Sequence, residues 1–93
     1  MYTEQTKVTW SSSSQGSTIE KTGVIVRFLP PYNSPIKLEP WLAQLKPSEL
    51  KFNPSESSKN ERYLVKVSLT LKRAGTKDVY YAPRASVLNP VDN

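Results

Sequence analysis

Apolar and polar residues alternate in two blocks of this chain, and between them they follow a helical spacing. In "TKVTW", residues 6–10, Val8 and Trp10 share one face while Lys7 and Thr9 take the other, the period of a half-buried strand. A serine run follows and leads into "TIEKTGVIVRF", residues 18–28. Here Val24, Val26 and Phe28 are expected on one face, with Ile25 and Arg27 on the other. Strands on both sides make "SSSSQGS" a hairpin connection rather than a tether, with Gly16 supplying a positive φ. Gly23, inside the second strand, predicts a bulge or a sharp bend.

From residue 29 to residue 60 the texture changes. Six of the eight prolines fall between positions 30 and 54, which excludes a long strand there. Within this segment Leu38, Trp41, Leu42 and Leu45 stand at i, i+3, i+4 and i+7, a helical stripe of about two turns. Pro40 suits the start of such a turn, and Pro47 suits the start of another, "PSELKF". The polar "NPSESSKN" reads as a mobile surface loop.

The second alternating block is the longest. In "RYLVKVSLTLK", residues 62–72, Tyr63, Val65, Val67, Leu69 and Leu71 form an apolar face. Leu64, Lys66, Ser68, Thr70 and Lys72 form the opposite one. A turn, "RAGTK", with Gly75 at its tip, leads into a strand over 77–82 that Pro83 ends. "ASVL" supplies a last short strand at 86–88. Five short strands around one interrupting segment predict a mainly β fold, a small SH3-like barrel with a Pro-rich excursion over 29–60. An α+β sheet with one packed helix is the rival architecture.

Length and composition bound the rest. A chain of 93 residues is expected to form a single domain over 1–93, with one thin core. Cysteine is absent, which excludes disulfides and thiolate metal sites and favours a cytoplasmic location. No apolar run approaches the roughly 20 residues that span a bilayer, and "MYTEQTKVTW" lacks the apolar centre of a signal peptide. A soluble protein without a membrane partner is expected. The net charge of +5 is uneven: residues 62–93 hold six basic and two acidic side chains, against seven and six in residues 1–61.

Two resemblances rest on these stretches. "VTWSSSSQGSTIEKTGVIV" resembles the opening of a KOW-type SH3-like barrel, with Gly16 and Gly23-Val24 at its glycine and G-x-V positions. The order "SQGSTIEKTGVIV", "PP", "ERYLVKV", "YYAPRASVL" is similar to a group of small uncharacterised phage and mobile-element proteins. Their pattern is SQG-x-KTG-x-V near the start and Y-x-P-x-x-S-x-L near the end. Residues 32–58, with Trp41, depart from that pattern and read as an insertion. The resemblance implies a phage-type origin and a compact β fold, and implies no activity.

Chemistry is easier to exclude than to find. Without histidine there is no imidazole acid–base chemistry, no triad and no His-metal site. The acidic residues form no D-x-D-type cluster, and no G-x-x-x-x-G-K-S/T loop is present. No enzyme activity, cofactor, metal or small-molecule substrate is therefore expected. Binding remains, in two versions. Lys66, Lys72, Arg73, Lys77 and Arg84 lie on or beside the second β block, where cations neutralise phosphates, with Tyr80 a candidate for stacking on a base. Lysines also protect sheet edges without binding anything. The alternative is protein docking through the Pro-rich segment, with Tyr32, Trp41 and Phe52 as anchors. Trp41 in particular is either such an anchor or a lid packed on the barrel.

Overall fold

The computed structural model describes residues 2–14, 16–71 and 75–91. Five strands follow in chain order: β1 (Lys7–Ser14), β2 (Ser17–Leu29), β3 (Arg62–Leu71), β4 (Gly75–Tyr81) and β5 (Asn89–Pro90). Between β2 and β3 lie a single α-helical turn, α1 (Pro35–Leu38), and two 3-10 turns, Pro40–Gln44 and Pro47–Glu49. A third 3-10 turn, Ala85–Val87, precedes β5. All pairings are antiparallel, and the sheet order is β4-β3-β2-β1-β5. The mainly β architecture with a Pro-rich excursion is the one the alternation predicts. The order is the meander of a small SH3-like barrel, but among the described residues β4 and β5 form no pairing, so the sheet stays unclosed.

β2 is shared between two halves. Its first part pairs with β1 from Ser17 to Val24, and its second part pairs with β3 from Val24 to Leu29. The sheet curls between them until Trp10 of β1 meets Tyr81 of β4, ring centroids 5.6 Å apart. Val8, Trp10, Ile25, Tyr63, Val65, Val67, Val79 and Leu88 fill the concave side as the main core. Tyr2 spans the ends of this core: its N–H donates to Tyr63 Oη at 3.0 Å, and its hydroxyl donates to the Leu88 carbonyl at 3.1 Å.

Four details differ from the sequence reading. The bulge is not at Gly23, which pairs in regular register with Val8; the register shifts between Ile25 and Arg27. Val26 is the extra residue, so the faces swap along β2. Ile25 and Phe28 join the main core, while Val26 and Leu29 turn outward. Gly23 instead permits close approach. A Cβ there would lie 2.6 Å from the Lys66 carbonyl oxygen and 2.7 Å from Val65 Cγ1.

The serines are strand rather than turn. Ser11 to Ser14 complete β1 and Ser14 pairs with Ser17, with Gly16 at φ 83° before it. A two-residue connection fixes the hairpin register, and the serines follow it. At the C-terminal side the expected strand at 86–88 is a 3-10 turn. The N–H groups of Val87 and Leu88 are spent on the carbonyls of Arg84 and Ala85, so pairing begins only at Asn89. Finally, "NPSESSKN" is tied down by its own bonds. Tyr32 donates its N–H to the Ser58 carbonyl at 2.7 Å, Ile36 donates to Pro54, and the Asn53 side chain accepts from Ser55.

The excursion folds over the outer face of the sheet. Each of its short turns opens on a proline, Pro35, Pro40 or Pro47, where the missing N–H costs nothing. Glu39 precedes Pro40 and is driven out of the helical region, to φ −133° and ψ 82°, which breaks the predicted helix in two. The predicted stripe still faces inward. Leu38, Trp41, Leu42 and Leu45 pack on Leu29 and Leu64 with Val26, Leu50, Phe52 and Tyr80. Burying Leu29, Leu42 and Leu64 contributes roughly 1.5–3 kcal/mol each. The Glu39 carboxylate bolts this layer down. It accepts from Arg27 of β2 at 3.3 Å and from Trp41 Nε1 at 2.7 Å. Farther on, Leu50 bridges Tyr80, and Lys51 donates its N–H to the Tyr80 carbonyl, so the excursion also covers part of the β4 edge.

Candidate nucleic-acid interface

Strand register decides which of the basic side chains share a surface. Lys66 lies between Val24 of β2 and Tyr80 of β4, on the outer face, and is half-buried. Tyr80 is half-buried on the same face. Its ring meets the Trp41 ring at 5.2 Å and 67°, so the candidate stacking platform already has an aromatic partner. Burial, then Asp78, then Glu49 push its phenol above the usual tyrosine range.

Lys77 pairs with Leu69, which sets it on the opposite side of the sheet from Lys66. Its Nζ donates to Ser48 Oγ at 3.0 Å, at the Pro47–Glu49 turn. Lys72 and Arg73 lie outside the described residues. Arg84 is exposed, three residues beyond the end of β4, and forms an isolated antiparallel bridge with Arg62. Leu71 pairs with Gly75 at the other end of the same hairpin. β3 runs from Arg62 to Leu71, about 30 Å at ~3.3 Å per residue. The single basic face expected from the sequence is thus drawn out along a hairpin, with Arg84 at one end and Lys77 near the other.

At the Arg84 end stand two residues that the sequence did not place together. Arg62 is half-buried. One guanidinium nitrogen donates to the Glu56 carbonyl at 3.2 Å, and its Nε is buried without an acceptor. Burial lowers its pKa from the ordinary arginine value, and the nearby Glu56 carboxylate opposes that shift. Tyr32 stands three residues past Leu29, the β2 partner of Arg62. It is 77% exposed and held at φ 64°, in the left-handed region that a bulky residue rarely occupies. Of the other two candidate anchors, Trp41 and Phe52 are half-buried in the outer layer. Trp41 is a lid in this structure.

The described residues hold one ion pair, Arg27 with Glu39. Among them no pocket opens, and no three His, Cys, Asp or Glu side chains come together as a metal site. No helix among them is long and apolar enough to cross a membrane. Comparison with protein families, curated proteins and solved structures gives no match to this chain.

Proposed function

We propose that this chain is a small non-catalytic binding module of phage or mobile-element type, acting in the cytoplasm by contacting nucleic-acid backbone. The observation that carries the reading is electrostatic. The chain has thirteen basic and eight acidic side chains, and among the described residues Lys66, Lys77 and Arg84 have no carboxylate at ion-pairing distance. These three cations can face phosphates without first breaking an ion pair. Lys66, Lys77 and Arg84 are spread along the β3–β4 hairpin and its open end, Lys72 and Arg73 join them in the reading from the sequence, and Tyr80 stiffens the middle by packing on Trp41. The phage-type assignment rests on the "SQGSTIEKTGVIV" and "YYAPRASVL" patterns.

The rival reading is protein docking through Tyr32, Trp41 and Phe52. It retains one exposed anchor, Tyr32, because Trp41 and Phe52 serve the outer layer.

Fluorescence anisotropy with labelled DNA and RNA, repeated across salt, tests the proposal. Each phosphate neutralised steepens the fall of log K with log salt by about 0.7–0.9. A slope worth three or more phosphates is expected, and it should shrink in the Lys66→Glu/Lys77→Glu double variant. Absence of binding at low salt by the folded protein would reject the reading.

A further inference from the structure

The Arg62–Arg84 bridge is unfavourable as it stands. Two arginines directly opposite on paired backbone carry like charges side by side, an arrangement that costs stability. Neither guanidinium has a carboxylate at ion-pairing distance among the described residues. Arg62 has a backbone carbonyl as its one acceptor, from Glu56, and its Nε has none. The neighbouring acids do not cancel the pair. The Glu56 carboxylate acts on Arg62 through space only. The Glu61 carboxylate is not at ion-pairing distance from either arginine. An anion placed between the two arginines would turn a repulsive pair into charge-assisted hydrogen bonds.

Tyr32 lies at the same end of the molecule. The chain from Leu29 to Tyr32 spans at most about 10 Å, and Leu29 is paired with Arg62. Ser58, whose carbonyl holds the Tyr32 N–H, is four residues before Arg62. The ring is kept outward by a backbone in the left-handed region, a conformation that costs roughly 1–3 kcal/mol for a non-glycine residue. Among the described residues the aromatic pairs are Tyr2–Tyr63, Trp10–Tyr81, Phe28–Tyr63 and Trp41–Tyr80; Tyr32 is in none of them. A presented ring at the same end of the sheet as two under-used guanidiniums is the combination that single-stranded nucleic acid requires: a flat surface for a base and cations for the adjoining phosphates.

We infer that the end of the sheet marked by Arg62, Arg84 and Tyr32 is a site for single-stranded nucleic acid, the arginines taking a phosphodiester and the Tyr32 ring stacking on a neighbouring base. The inference rests on the proposed nucleic-acid function and goes further, in fixing the place and the strandedness. It also assigns Tyr32 to a base rather than to a protein partner.

The test compares a labelled single-stranded oligonucleotide with a duplex of the same length, using the full chain and the variants Arg84→Glu, Tyr32→Ala and Lys7→Glu. Circular dichroism confirms the fold of each. Lys7 is exposed on β1 and controls for the charge change alone. The wild type should favour the single strand. Tyr32→Ala should weaken that binding roughly tenfold and leave the duplex unaffected, in keeping with the contribution of one stacked base. Arg84→Glu should weaken it by about as much or more, with a shallower salt dependence than the control. Wild-type binding that survives both Arg84→Glu and Tyr32→Ala would overturn the site while leaving the nucleic-acid function standing. Loss with Arg84→Glu alone would overturn it as well, since the stack would then be absent. A wild type that binds no nucleic acid would overturn both.

Discussion

Trp10 and Tyr81 meet edge-to-face at 5.6 Å although their strands are separated in the sheet by β2 and β3. The contact exists because the sheet curls, and it helps to hold the curl. Lys21, the cross-strand partner of Trp10, adds its ammonium over the same Tyr81 ring at 5.6 Å. Trp10 itself is 6% exposed, so truncating it empties the centre of the main core. Trp10→Ala should cost about 3–5 kcal/mol. A chain of this length has about 5–14 kcal/mol in total, so the variant should lose from about a fifth to all of its stability. Urea denaturation followed by far-ultraviolet circular dichroism measures this. A loss under about 1 kcal/mol would show that the curl does not depend on the pair.

Gly23 and Gly16 should respond differently to the same added methyl group. At Gly23 the new Cβ meets a backbone carbonyl and two valine methyl groups within 3.0 Å, and a strand has to move. At Gly16 the space is open, and the penalty is conformational, from φ 83°. Gly23→Ala should therefore cost about 3 kcal/mol, and Gly16→Ala about 1–2 kcal/mol. Equal losses in paired urea titrations would contradict the close approach of β3 at Gly23.

Tyr80 gives the fold an alkaline weakness. Its phenol is raised above the usual value near 10 by burial, then by Asp78 and Glu49. The folded protein keeps a proton that the unfolded chain has released once the pH passes 10. Its contribution to stability is complete below that pH and is lost as the pH climbs through the folded value. Stability measured from pH 9 to pH 11 should fall, and Tyr80→Phe should flatten the fall. An identical slope in the variant would remove Tyr80 as the cause.

How much of this was legible depends on what each residue type can reveal. The second β block announced itself because Tyr63, Val65 and Val67 alternate with polar neighbours. The prolines marked where each turn of the excursion opens, since a ring that fixes φ fits the first helical position. The bulge at Val26 was hidden: "VIV" is apolar at every position, and both faces of β2 are covered at that point, so alternation carries no sign of orientation. Ser11 to Ser14 have low β propensity and form strand only because the turn holds them in register. Nor can local pattern pair Arg62 with Arg84. That bridge depends on where residues beyond β4 return, and it is the Pro83 carbonyl accepting from Tyr63 that sets it. The basic character of the site was therefore readable, while its division along the hairpin and the arrival of Tyr32 were not.

The shared strand has a kinetic consequence. Each hairpin, β1–β2 and β3–β4, pairs residues close in sequence, and such units form within about 1–10 μs. Joining them means closing the chain from residue 30 to residue 61 at the Leu29–Arg62 pair. The Leu29–Arg62 pairing is the long-range closure that separates the two local hairpins. Halving the excursion would ease that closure by only about 0.6 kcal/mol, because closure entropy grows with the logarithm of length. The sheet's long detour therefore adds a closure cost that changes little with its exact length.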